Sequence, residues 1–132
     1  MFTHIKTSKQ NKLVVTELSR KLNLGAENII ARIAFAYSLS KERRLSLNDI
    51  KDSQGKEYSK NVLFGNNYPF YLAMLCTHYK LYKTDKDLPK YFKLHIDDGL
   101  QLLENELKNN PNLNGLDFIV DKVEMGFTNM GL

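Results

Sequence analysis

The strongest constraint on the fold of this chain is that its apolar residues recur at helical spacing along most of its 132 residues. In one segment they fall three or four positions apart: Ile96, Leu100, Leu103 and Leu107. Residues at this spacing share one face of an α-helix. Pro89 suits the first turn and Pro111 ends the segment, which is therefore predicted to be an amphipathic helix beginning at Asp85 or Asp87.

Two more helices are predicted near the N terminus. The first is capped by Thr7 or Ser8 and runs to about Leu22. Its aliphatic edge comprises Val14, Val15, Leu18 and Leu22. Gly25 is expected to supply the positive φ at which a helix ends, and a second helix then runs from about Ala26 to Ser40. The second helix carries a wide apolar stripe: Ile29, Ile30, Ile33, Ala34, Ala36 and Tyr37.

The middle of the chain, residues 45–66, has the least regular pattern. Ser46 and Asn48 are typical of the start of a short helical turn, and residues 52–55 form a turn signal. Residues 56–64 are compatible with an extended segment or a loop.

The segment from Pro69 to His78 contains no Asp, Glu, Lys or Arg, and apolar side chains occur all round its predicted helix. Asn67 is the expected cap. Such a helix is predicted to lie at the centre of the core, against another subunit, or both. A last helix is predicted from about Asn114 to Met125, and its apolar residues include Leu116, Ile119, Val120 and Val123.

The predicted fold is therefore all-α: a compact single-domain helical bundle, oligomeric, with a two-helix unit at its N terminus. We divide the domain 1–132 into a basic half (1–60), a half for the core and for oligomerisation (61–125) and a loose tail (126–132). The single cysteine, Cys76, excludes an internal disulfide and favours a reducing, cytoplasmic compartment. No signal peptide is evident, and no apolar run approaches the roughly 20 residues that a membrane span needs.

The charges are distributed as a gradient along the chain. Residues 1–60 contain 12 Lys/Arg and 6 Asp/Glu, residues 61–93 contain 5 and 2, and residues 94–132 contain 2 and 7. The three net charges are +6, +3 and −5, which sum to the overall +4. A basic half of this kind indicates a polyanionic partner, and we expect residues 1–60 to be the half that faces DNA, although solvated charges can also fall unevenly without such a partner.

A row of cations lies along the first helix. Lys9, Lys12 and Arg20, together with Thr16, fall within a sector of about 80° at 100° per residue. The aliphatic edge lies opposite, and Leu13 next to the row is a candidate subunit contact. With the later cations, the row would form a strip suited to phosphates. We call these ten candidate DNA contacts the basic strip: Lys6, Lys9, Lys12, Arg20, Lys21, Arg43, Arg44, Lys51, Lys56 and Lys60.

The two N-terminal helices resemble the unit of helix-turn-helix and ribbon-helix-helix proteins, because both have apolar residues on their facing sides and a tight turn between them. Two packed helices joined at a glycine are also ordinary helical architecture. A repressor that reads a specific operator is therefore an alternative function. Arg32, inside the second helix, is expected to form an ion pair or to donate to a neighbouring carbonyl.

Signatures of catalysis are absent from the sequence. The seven glycines form no phosphate-binding loop, and His4, His78 and His95 are far apart in sequence, so neither a cofactor nor a metal site is predicted. The adjacent Asp97 and Asp98 are expected on the solvated face of a helix. Cys76 as a persulfide carrier remains an alternative, but it lies in the most apolar segment, where thiol reactivity falls. Six aromatic residues could stack on bases, although core packing is expected for most: Phe70, Tyr71, Tyr79, Tyr82, Tyr91 and Phe92.

Three blocks of the chain resemble the DndE family of bacterial DNA phosphorothioation proteins. They are residues 24–39 (LGAENIIARIAFAYSL), 52–65 (DSQGKEYSKNVLFG) and 95–100 (HIDDGL), in the family's order. Lys60 stands where an arginine is more usual, which keeps the charge but loses bidentate phosphate geometry.

The resemblance implies a helical, homo-oligomeric and tetrameric subunit that binds duplex DNA, including nicked DNA. It would act beside a cysteine desulfurase, an iron–sulfur protein and other partners that replace a non-bridging phosphate oxygen with sulfur. No catalytic motif comes with the resemblance, so we expect no enzymatic activity. A further alternative is an adaptor whose basic face docks on an acidic protein.

Overall fold

The computed structural model describes residues 2–131. Helices make up 66% of the chain and strands 5%. In chain order the elements are β1 (His4–Lys6), α1 (Asn11–Leu22), α2 (Glu27–Ser40), β2 (Glu57–Ser59), α3 (Lys60–Phe64), α4 (Tyr68–Tyr79), α5 (Leu88–Asn109) and α6 (Gly115–Asn129), with 3-10 turns at Leu47–Asp49 and Gly65–Asn67. The mostly helical prediction is confirmed, and the small sheet is an addition to it.

The centre of the molecule is the pair formed by α2 and α5. Gly99 of α5 approaches α2 so closely that a Cβ there would lie 1.8 Å from the carbonyl oxygen of Ala34. The predicted α5 face is confirmed, since Ile96, Leu100, Leu103 and Leu107 are all buried. On α2 the buried stripe is rotated from the expected one towards Phe35, because α5 and the aromatic cluster beside it cover that side.

The helix α1 packs against this pair through the expected aliphatic edge, and Val14, Val15, Leu18 and Leu22 are all buried. Its end differs from the prediction. Asn23, with φ 52°, takes the left-handed conformation and donates its N–H to the carbonyl of Ser19 at 3.1 Å. Gly25 also has a positive φ, 127°, but it lies in the turn that leads to α2.

The two strands were not predicted as a sheet. β1 and β2 pair antiparallel, with Ile5 opposite Tyr58, and both of these side chains are buried. β2 leads directly into α3, whose first turn is capped by the Ser59 hydroxyl accepting from the N–H of Val62. Residues 56–64 therefore divide between a strand and a helix.

The expectation that α4 is central to the core is wrong. Leu75 is its only fully buried residue, and Phe70 is 71% exposed. The reason is that α2 and α5 already form the centre, so α4 covers one edge of it. Burial of the other side against a second subunit stays a prediction.

The last helix is longer than predicted, because α6 continues to Asn129. Residues 126–129 of the expected loose tail are therefore helical. Asn114 caps the helix by accepting from the N–H of Asp117 at 2.8 Å. Phe118 anchors α6 by packing edge-on against Tyr37, and Lys122 donates to Glu106 at 2.7 Å.

Candidate nucleic-acid interface

The cation row has the exposure that its spacing predicts, although Lys9 lies in the turn before α1 and not on the helix. Lys9, Lys12, Thr16 and Arg20 are all exposed, while the aliphatic edge on the other side of the helix is buried. The buried Asn11 fixes the start of the helix by donating its side-chain N–H to the Asp97 carboxylate at 2.8 Å. α1 is therefore held at both its apolar edge and its N terminus, with its cations directed outward.

The loop before β2 adds further cations to the N-terminal end of α1. Gly55 and Thr7 join the two segments, since Gly55 donates its N–H to the Thr7 carbonyl at 2.9 Å. Lys51 reaches across the same boundary and donates to the Gln10 side chain at 3.3 Å. The Asp52 carboxylate accepts from the N–H of Lys9 at 2.7 Å, and this bond is the first cause of its lowered pKa. The loop thus places Lys51 beside the start of the row.

Two arginines follow α2 near this end of the molecule. Arg43 binds Asp98 at 2.7 Å and lines a pocket of about 380 Å³ together with Lys51 and Gln10. Arg44 is exposed. Arg43 therefore adjoins the row, although part of its charge is neutralised by Asp98.

Three members of the basic strip interact with groups outside the cation row. Lys56 forms an ion pair with Glu27 at 3.4 Å, and Lys60 lies over the rings of Phe2 and Tyr68. Lys21 shares a small cavity with two glutamates and another lysine: Glu17, Glu104 and Lys108. The strip is therefore not continuous. Its shared surface consists of the α1 row with Lys6 and Lys51, and Arg43 adjoins it, whereas Arg44 lies near Tyr79 of α4.

One cation beside this surface was missed. Lys90 lines a shallow groove with Lys6 and Lys93, and Lys93 is itself buried against Asp97 at 3.0 Å. The signal for Lys90 was the +3 charge of residues 61–93, but nothing in the local sequence placed this lysine next to β1.

Asp97 and Asp98 diverge as predicted, but neither belongs to a solvated face. Their side chains are only 19% and 14% exposed, because each receives bonds from a different neighbouring element. Asp97 accepts from the backbone N–H of Ser8 at 3.1 Å, which ties α5 to the segment before α1. Asp98 accepts from the Ser38 hydroxyl at 2.6 Å, which ties α5 to α2.

The histidines are less separated in space than in sequence. The rings of His78 and His95 lie 5.3 Å apart, centroid to centroid. A neutral His95 satisfies its neighbours by donating from Nδ1 to the Ser38 hydroxyl at 2.7 Å and accepting at Nε2 from the Tyr79 hydroxyl. Burial, aided by His78, lowers the pKa of His95 to about 4. Ser38 and His95 are both fully buried. Their hydrogen bond therefore stabilises the core and is not accessible to a substrate.

The geometry gives no support for a metal site, a membrane span or a reactive cysteine. Within residues 2–131 no three His, Cys, Asp or Glu side chains gather as a metal ion requires, and no helix there has the length and apolarity to cross a membrane. Burial, followed by the nearby Asp85, raises the pKa of the Cys76 thiol. Arg32 donates to the carbonyls of Val62 and Leu63 at the end of α3, which confirms its predicted structural role.

The two N-terminal helices do not fit the helix-turn-helix or ribbon-helix-helix interpretation. A recognition helix must expose one face to enter a major groove. In α2 Ser40 is the one exposed residue, because this helix is central to the core. A ribbon-helix-helix protein would pair its first strand with that of a second subunit, whereas β1 pairs with β2 of the same chain.

The fold and its surface define a small, mostly helical protein with a row of outward-facing cations on one amphipathic helix. The family model described as DNA sulphur modification protein DndE matches residues 4–111. The chain belongs to the DndE family, as the resemblance of its three sequence blocks indicates.

Solved structures of this family are similar to the chain. The crystal structure of DndE from Escherichia coli B7A, involved in DNA phosphorothioation modification, has a TM-score of 0.63 and 25% identity, covering 78% of this chain and 98% of that one. A glycine-to-lysine DndE mutant has a TM-score of 0.65 and 27% identity, with the same coverage of 78% and 98%. No curated protein matches the chain significantly. The helix α6 lies beyond the family match, which ends at residue 111.

Proposed function

We propose that this protein is a non-catalytic DNA-binding subunit of a DNA phosphorothioation system. It binds duplex or nicked DNA through the α1 row and the cations beside it, with little dependence on sequence. Membership of the DndE family supports the place in DNA sulfur modification. The exposed cations support the mode of binding.

The observation that carries the proposal is that the row is exposed without carboxylate partners. Within residues 2–131, the side chains of Lys9, Lys12 and Arg20 form no ion pair, and neither do those of Lys6 and Lys51. Unpaired cations release counterions from DNA when they neutralise phosphates. At 1.5 Å per residue, Lys12 and Arg20 are about 12 Å apart along the axis of α1, and Lys9 extends the row beyond the start of the helix. That length follows several phosphates, which are spaced about 3.4 Å apart along each strand of a duplex.

Tolerance of sequence follows from the chemistry of the same surface. Lysine side chains contact phosphates as point charges, while bases are read chiefly by groups inserted into a groove. The most buried helix, α2, has no free face for insertion. The row therefore favours binding to the backbone over reading of bases.

The proposal includes self-association into a homo-oligomer, a tetramer by family resemblance, and contact with other sulfur-modification proteins. Several copies would multiply weak phosphate contacts into tight binding. Leu13, 74% exposed next to the row, and the apolar sides of α4 and α6 are available for protein contacts.

Fluorescence anisotropy tests DNA binding with intact, nicked and unrelated duplexes of equal length at several salt concentrations. We expect a steep fall of log K with log salt and similar affinities for unrelated sequences. Reversing the row with Lys9→Glu, Lys12→Glu and Arg20→Glu should abolish binding, with helical content and oligomer size unchanged. A slope near zero would reject the proposal, and a preference of several orders of magnitude for one duplex would favour a repressor.

A matched pair of single variants controls for the general effect of charge. Lys12→Glu and Lys108→Glu make the same change on exposed helical lysines, but Lys108 lies beside Glu104 on α5. We expect about a tenfold loss of affinity for Lys12→Glu, with a shallower salt slope, and less than about a twofold loss for Lys108→Glu. Equal losses would show that net charge alone, and not the row, determines binding.

A further inference from the structure

The outward side of α6 carries an apolar seam. Its members follow one another at intervals of four, three, four and three residues: Leu116, Val120, Val123, Phe127 and Met130. Their exposed fractions range from 47% to 73%. This alternation is the spacing by which one helix packs against another. Together they leave on the order of 500 Å² of apolar surface uncovered, which is large for one patch on a monomer.

The seam lies away from the two contacts that anchor α6 to its own subunit. The helix is anchored by its other side, where Phe118 is buried against Tyr37 and Lys122 binds Glu106. It also lies beyond the residues that the family model matches. The seam is therefore a surface that this chain adds to the DndE fold.

The residues beside the seam identify the charge of its partner. Asp117, Asp121 and Glu124 are exposed on α6, and the sole cation of the helix, Lys122, is engaged by Glu106. An antiparallel pair of α6 helices would bring these acids together. The seam instead fits an apolar surface with a basic border.

A groove of about 740 Å³ between α4 and the start of α5 has that character. Its floor is apolar: Phe2, Tyr68, Leu72, Leu88 and Pro89. Lys83 and Lys86 line it with a single acid, Asp85, and Lys60 lies over the ring of Tyr68. Both lysines are exposed. Apolar grooves of this kind accept one face of an amphipathic helix.

The groove and the seam of one copy lie at opposite ends of α5. α6 is fixed to Glu106, near the C-terminal end, while Leu88 at the N-terminal end lines the groove. These 18 residues correspond to about 27 Å of helix. An α6 helix therefore cannot enter the groove of its own subunit while it keeps its anchors.

We propose that the α6 seam of one copy docks in the α4–α5 groove of a second copy. The contact joins two different surfaces, so it is head-to-tail, and repetition generates a closed ring or an open chain. The inference adds a contact, outside the residues of the family match, to the self-association in the proposed function, and it does not depend on DNA binding.

Sedimentation velocity over a range of protein concentrations tests this contact. The seam variant carries Val123→Glu and Phe127→Glu, and the groove variant carries Lys83→Glu and Lys86→Glu. All four positions are exposed, and circular dichroism checks that both variants fold. We expect the wild type to assemble and each variant to sediment as a smaller species at every concentration.

Mixing the two variants distinguishes a head-to-tail contact from a symmetric one. The seam variant retains a groove and the groove variant retains a seam, so an equimolar mixture should form one joint and sediment as a larger species than either alone. A charge exchange, with Asp121→Lys and Glu124→Lys added to the groove variant, should restore assembly. Lys108→Glu, at another exposed lysine, is the control and should assemble as the wild type does.

Several outcomes would overturn the inference. They are a monomeric wild type, variants that assemble like the wild type, or a groove variant that assembles while the seam variant does not, which would indicate pairing between α6 helices. DNA binding is measured on the same samples. Absence of DNA binding by an assembled wild type would contradict the proposed DNA contact alone.

Discussion

The helices α1 and α6 are both amphipathic and lie at the surface, but they expose opposite chemistry. α1 directs Lys12 and Arg20 outward, whereas α6 directs Val123 and Phe127 outward. α1 lies within the residues matched by the DndE family model, and α6 lies outside them. The comparison separates a cationic surface, on a helix within the family match, from an apolar surface on a helix outside it.

Both surfaces depend on one shared support. α1 contacts α5 and α2, and α6 is anchored to Tyr37 of α2 and Glu106 of α5. A change within the α2–α5 pair should therefore reduce both DNA binding and self-association. A change on the surface of α1 should reduce only DNA binding, and one on the surface of α6 should reduce only self-association. The predictions below test this division, beginning with the largest expected effect.

The substitution Gly99→Ala should have the largest effect. Its Cβ would lie 1.8 Å from the carbonyl oxygen of Ala34 and 2.4 Å from the carbonyl carbon, so backbone must move. Overpacking of this kind costs roughly 3 kcal/mol or more when rigid backbone is the obstacle. Urea unfolding should report this loss of stability. DNA binding and assembly should fall together at temperatures where the variant unfolds.

The matched control is Gly126→Ala on α6. A Cβ at this position has no heavy atom within 4 Å, and the residue lies inside the helix. Alanine is favoured over glycine in a helix by about 0.5–1 kcal/mol, so this variant should be slightly more stable. If Gly99→Ala and Gly126→Ala changed stability equally, the close contact between α2 and α5 would not be the support of the fold.

The buried His95 should make stability depend on pH. Its pKa is about 4 in the folded protein and near 6.5 when exposed, because burial disfavours the charged ring. Below pH 6.5 the unfolded chain binds a proton that the folded chain does not. The stabilising contribution is therefore complete above pH 6.5 and is lost as the pH falls towards 4. A difference of this size corresponds to roughly 3 kcal/mol.

Urea unfolding at intervals between pH 7 and pH 4 checks this prediction. Carboxylates titrate in the same range, so the difference between the wild type and His95→Gln isolates the histidine. His95→Gln should be less stable at pH 7 and should lose less stability on acidification. His4→Gln, at an exposed position, is the control and should follow the wild type. Parallel curves for His95→Gln and the wild type would contradict the prediction.

Local spacing was sufficient to predict most of the helical framework. The buried edge of α1 and the α5 face followed from periodicity, because a helix that packs on one side repeats its apolar residues at 3.6 positions. The carbonyl-binding role of Arg32 was also anticipated. The α1 row could be predicted for the same reason, since the side opposite a buried edge must face outward.

The features that sequence reasoning missed all depend on contacts between distant segments. The β1–β2 sheet joins residues more than 50 positions apart, and each strand has only three residues, too few for a clear alternation. Asp98 was placed in solvent because its partners, Ser38 and Arg43, lie on other elements. α4 lies at the edge because α2 occupies the central position beside α5. Composition alone does not determine which of two apolar helices is central.

The smallest expected effect is that of Cys76→Ser. The comparison of α1 with α6 assigns DNA binding to one helix and protein contact to the other, and it leaves no reaction to the cysteine on α4. Burial raises the pKa of the Cys76 thiol, which reduces the thiolate that a persulfide carrier would need. Cells that carry Cys76→Ser in place of the wild-type protein should therefore contain normal amounts of phosphorothioate linkages, measured by mass spectrometry of digested DNA.

The variant with Lys9→Glu, Lys12→Glu and Arg20→Glu is the comparison and should lose modification. Loss of phosphorothioate in Cys76→Ser, with DNA affinity and assembly intact, would show instead that sulfur passes through this residue and that the subunit is not a passive binder.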